Sequence, residues 1–99
     1  MGTAARDHKQ NVFRDLGFRG AEAEHLLIRA DLMIALERFV TRRDLTQKEA
    51  ARLFQVTQPR VSDLLRGKIH LFSIDTLVEM LGRAGIAVTL TTRAKRRTA

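Results

Sequence analysis

QKEAARLFQVTQPRVSDLLRG, residues 47–67, is the stretch on which the fold turns. Thr46 precedes it and Glu49 stands three residues on, the spacing in which a hydroxyl caps a helix start while a carboxylate reaches back to the cap's N–H. This predicts a short helix over 46–54. Thr57 can cap the next helix, and Pro59 then falls in its first turn, where a missing N–H and a fixed φ cost little. That helix runs to about Arg66 and stops at Gly67. Only Gln55 and Val56 separate the two. Ala51 has no bulk to hold the helices apart, and Phe54, Val56, Val61 and Leu64 are spaced to form an apolar wedge. The pair is expected to cross steeply through a very short turn.

Working outward, residues 21–43 contain neither Pro nor Gly, and Leu26, Ala30, Met33, Ile34, Leu36, Phe39 and Val40 recur at steps of three and four, a helical period. The phase drifts around Asp31, so the segment is either one long helix buried on different faces or two abutting helices. Beyond Gly67 a loop over 68–72 is expected, then a helix capped by Ser73 with Ile74, Leu77, Val78 and Leu81 as its apolar face. Gly82 and Gly85 mark its end. After Gly85 the period becomes two: Ile86, Val88 and Leu90 alternate with Ala87, Thr89 and Thr91, which predicts a strand over 86–92. The other extended candidate is the short stretch 11–13, so this strand is expected to pair across a homodimer, with a frayed or internally paired end as the alternative. The organisation read from the chain is an N-terminal arm (1–20), a helical domain (21–85), the strand (86–92) and a basic tail (93–99).

With 99 residues the chain allows one domain. It contains no cysteine, which excludes disulfides, thiolate metal sites and cysteine nucleophiles. No apolar run is long enough for a membrane span and residues 1–10 carry no apolar leader, so a cytoplasmic protein is expected. His8, His25 and His70 are scattered and lack metal-ligand spacing, no Gly-rich phosphate loop is present, and neither Ser62 nor Ser73 has convincing His and acid partners. No metal, cofactor or enzymatic activity is expected. The formal charge of +7 and pI near 11.3 favour phosphate-rich partners. Residues 1–41 balance, 42–68 hold seven basic and three acidic side chains, 69–92 hold one basic and two acidic, and Arg93, Lys95, Arg96 and Arg97 complete the excess.

The 47–67 motif resembles the Xre family of phage-repressor-like DNA-binding domains, including antitoxins of the HigA type. Together with the helices before and after it, the likeness covers most of residues 31–85. Gln55 departs from the pattern: the family usually has glycine there because the turn wants a left-handed backbone, and glutamine should cost about 1 kcal/mol. The resemblance implies an all-α, five-helix, lambda-repressor-like helix-turn-helix domain with the third helix in the major groove. The polar residues of its early turns, Thr57, Gln58, Arg60, Ser62 and Asp63, would then meet base edges, with Pro59 available for apolar contact such as a thymine methyl. Gln58 and Arg60 are the strongest candidates, since an amide can pair with adenine and a guanidinium with guanine. By resemblance the position of Gln58 reads bases and that of Gln47 binds a phosphate. Thr46, Lys48, Arg52, Arg66 and Lys68 are further candidates for phosphate anchoring. The implied function is a sequence-specific regulator that binds a palindromic operator as a homodimer, and within it an autorepressing antitoxin with a toxin protein as partner. The alternatives are a phage-type repressor, a protein-interaction module using the motif as scaffold, and a sequence-indifferent nucleic-acid binder.

Overall fold

The protein is described here by a computed structural model covering residues 20–94. Within them lie four α-helices and one 3-10 turn: α1 (Gly20–Arg42), α2 (Gln47–Phe54), α3 (Gln58–Leu65), the turn Ile69–Leu71 and α4 (Ile74–Arg83). With no proline or glycine to break it, the phase drift about Asp31 is absorbed by one continuous helix. Ala23, Leu26 and Leu27 are buried in its first half, and Met33, Leu36 and Val40 in its second. Five expected helices thus become four among the described residues. The expected loop over 68–72 contains the 3-10 turn.

Both ends of the short helices are closed by local chemistry. Thr46, Thr57 and Ser73 are the N-caps, each hydroxyl accepting from the backbone N–H three residues on, at 3.1, 3.3 and 3.1 Å. All four α-helices end alike. A residue with positive φ (Asp44 at 50°, Gln55 at 58°, Gly67 at 71°, Gly85 at 79°) turns the chain. The next N–H then donates five residues back: Leu45 to Val40, Val56 to Ala51, Lys68 to Asp63, Ile86 to Leu81, at 2.9–3.1 Å. Leu45, Val56 and Ile86 then pack on the core, so three of the four exits are also apolar anchors.

The core is one cluster fed by every helix: Met33, Leu36 and Val40 from α1, Ala50, Ala51 and Phe54 from α2, Val61 and Leu64 from α3, and Leu77, Met80 and Leu81 from α4, with Phe72 preceding α4. The predicted wedge between α2 and α3 is present, with Phe54, Val61 and Leu64 fully buried and Val56 half-buried. On α4 the expected face is corrected. Met80 is buried and Val78 is 38% exposed, because Leu77, Met80 and Leu81 follow the three-and-four step and Val78 lies about 100° round from Leu77. Two arginines fasten elements over long sequence distances: Arg29 Nη1 donates to the Ile69 carbonyl (3.3 Å) and Arg83 Nη1 to the Phe54 carbonyl (3.1 Å).

The strand expected over 86–92 is not formed among the described residues: residues 86–94 have no regular secondary structure. A strand is a relation between two backbones, and no second extended segment among the described residues offers an edge. Ile86 stays on the core, while Val88 and Leu90 are 42% and 75% exposed. The stretch 11–13, residues 1–19 of the arm and residues 95–99 of the tail lie outside the described residues.

Candidate nucleic-acid interface

Helix α3 is buried through Val61 and Leu64, with Leu65 half-buried, and this fixes which side faces solvent. At 100° per residue the opposite stripe is Pro59, Ser62, Asp63 and Arg66, with Gln58 beside Ser62 at the amino end. Thr57, Gln58 and Pro59 form three consecutive exposed residues at the start of the helix, and Ser62 and Asp63 are half-buried one turn on. Thr57 is committed as cap to the Arg60 N–H, which leaves the Gln58 amide as the first long, unburied hydrogen-bonding group of the helix. Gln55 holds the turn before it at φ 58° and ψ 46°, the left-handed geometry for which glycine is usual.

Arg60 goes elsewhere. It lies on the flank of α3 away from Gln58, half-buried, with its guanidinium carbon 4.4 Å from the Phe72 ring centroid and Nη1 donating to the Leu71 carbonyl at 3.0 Å. A cation over an aromatic face contributes about 0.5–2 kcal/mol according to solvation. That is the scale of one base contact, so geometry rather than energy decides where this side chain rests. Residues 60 and 72 are twelve apart with no periodicity linking them, and sequence reasoning had no signal for the pair.

Around α3 the phosphate candidates divide. Gln47, Lys48, Arg52 and Arg66 are exposed. Thr46 is exposed too, but its hydroxyl accepts from the Glu49 N–H and its own N–H donates to Glu49 Oε1 at 2.8 Å, the predicted reciprocal cap. These two bonds to Thr46, backbone first, hold the Glu49 carboxyl below the usual carboxylate range, and Arg52 adds to the effect. Lys68 is half-buried, its Nζ 3.5 Å from Asp63 Oδ1, so one phosphate candidate and one base candidate neutralise each other. Arg43, not among the expected contacts, stacks over Phe39 at 4.9 Å. Glu37 on α1 is pushed above the ordinary carboxylate value of 4.5 by burial.

A family model described as a helix-turn-helix domain matches residues 12–93, which takes in every helix described above. The chain belongs to this helix-turn-helix domain family. No curated protein matches it. In the helix-turn-helix frame α2 is the first helix and α3 the recognition helix, and membership points to a DNA-binding regulator. Among the described residues no helix is long and apolar enough to cross a membrane, and no group of three His, Asp or Glu side chains is placed to hold a metal ion.

Proposed function

We propose that the protein is a sequence-specific transcriptional regulator of the Xre type, and within that an antitoxin that represses its own operon. The observation that carries the reading is the amino end of α3. On a helix clamped through Val61 and Leu64, the exposed run Thr57, Gln58, Pro59 leads, and an unburied amide is offered to a groove wide enough for one helix. Gln58 is the principal base reader, with Thr57, Pro59, Ser62 and Asp63 completing the surface. Thr46, Gln47, Lys48, Arg52 and Arg66 anchor phosphates, and Lys68 contributes in so far as its pairing with Asp63 yields. The working form is a homodimer on a palindromic operator, its recognition helices about one helical turn apart. Residues 86–92 supply the pairing strand: Val88 and Leu90 are exposed in the single chain, and a second copy offers the missing edge. The arm (1–20) or the strand contacts the toxin, and the basic tail (93–99) adds phosphate attraction.

The test compares the native chain with Gln58→Ala on the upstream DNA of its own gene and on a scrambled duplex, at salt concentrations up to about 150 mM. Native binding should favour the upstream duplex by about a hundredfold or more, and Gln58→Ala should lose about tenfold of that preference. Equal, steeply salt-dependent binding to both duplexes would replace sequence reading by general phosphate attraction.

A further inference from the structure

We infer that Arg60 is a positioning residue that sets the recognition helix, not one that reads bases; the inference rests on the DNA-reading proposal above. The guanidinium lies 4.4 Å from the Phe72 centroid, and Nη1 donates to the Leu71 carbonyl at 3.0 Å. Phe72 is 1% exposed and belongs to the core, so the ring is a fixed platform that cannot travel with the arginine toward a groove. Arg60 is also the third residue of α3, its backbone N–H held by the Thr57 cap. One residue therefore joins the first turn of α3 to the 3-10 turn and to the core.

The mechanical consequence follows from the shortness of α3. It has eight residues, and its first buried residue, Val61, comes a full turn after Thr57. The apolar contacts alone hold its middle and its carboxyl end. Rotation of the helix about its own axis, which decides whether the Gln58 amide meets base edges, is limited on one flank by the Arg60 latch. Reading is thereby left to the Gln58 and Ser62 side, while the opposite flank is occupied by an internal bond. A lysine would not substitute: it keeps the charge, but has neither the planar face that stacks on a ring nor the fork that bonds a carbonyl alongside it.

The experiment selects bound sequences from a pool of duplexes with a randomised central segment, using the full-length native chain, Arg60→Ala, Arg60→Lys and Phe72→Leu. Affinities for the native consensus are then measured and corrected for folded fraction by circular dichroism. A latch predicts an unchanged consensus in all variants. Arg60→Ala and Arg60→Lys should each weaken binding by about tenfold irrespective of which operator base is changed, and combining Arg60→Ala with Phe72→Leu should cost no more than the larger single loss. If Arg60→Ala erases the preference at one base pair while Phe72→Leu retains it, Arg60 reads that base and the inference is overturned. Unchanged affinity in both Arg60 variants overturns it as well. If the native chain itself selects no consensus, the DNA-reading proposal fails and this inference falls with it. Arg60→Lys keeps the comparison open should the alanine variant fold poorly.

Discussion

Gln55 is a glutamine held at φ 58°, where its Cβ crowds the backbone and glycine would not. The strain is tolerated because Val56, the residue after it, closes the α2 exit on the core. Gln55→Gly should therefore raise stability by about 0.5–1 kcal/mol, several degrees in the midpoint of a thermal melt, since relief of strain outweighs the added freedom of the unfolded chain. Asp44→Gly, at φ 50°, should gain less, because aspartate tolerates this conformation better. Glu37 makes a second prediction at this scale. Burial raises its pKa above 4.5, so the stability it contributes is fully present below that value and is lost as pH rises through its folded pKa. Glu37→Gln should melt higher than the native chain at pH 7, with the difference closing in acid; equal melting at both pH values would dismiss the half-buried carboxylate as a cost. Glu49 has the opposite sign. Its pKa is lowered, and its capping contribution is present above 4.5 and lost as pH falls through the folded value.

The elements most legible in the sequence were those whose ends are written locally. Thr46, Thr57 and Ser73 cap their helices, and Pro59 falls in the first turn of α3. Each of these is an interaction across three or four residues, set by side-chain chemistry next to the backbone it satisfies. The wedge of Phe54, Val61 and Leu64 was legible for a related reason: apolar spacing on two short helices joined by so few residues leaves few ways to bury both faces. Less legible were α1 and the face of α4. Periodicity could not choose between one helix and two across Asp31, and it placed Val78 inside where Met80 is, because the inward direction of a helix is settled by its neighbours rather than its own repeat. The site divides similarly. The exposed start of α3 followed from its cap and its buried side, whereas the Arg60–Phe72 stack and the Asp63–Lys68 pair required the chain to turn back on itself.

At the scale of the whole molecule, residues 87–94 are left without regular structure among the described residues. If they pair with a second copy, Val88→Asp combined with Leu90→Asp should convert the protein to a monomer in light scattering at micromolar concentration, with helical circular dichroism unchanged because neither residue belongs to the core cluster. A native chain that is already monomeric both free and on DNA would remove the strand-paired dimer from the proposal. Sequence by itself determined the helix starts and the paired short helices of a helix-turn-helix domain, since these rest on interactions within a few residues or on the spacing of one motif. Tertiary structure decided that α1 is continuous, that residues 86–94 form no ladder among the described residues, and that Arg60 lies on Phe72 rather than in line with Gln58. These depend on which surfaces meet when the helices pack, and a side chain's partner many residues away is fixed by a crossing geometry that no local pattern encodes.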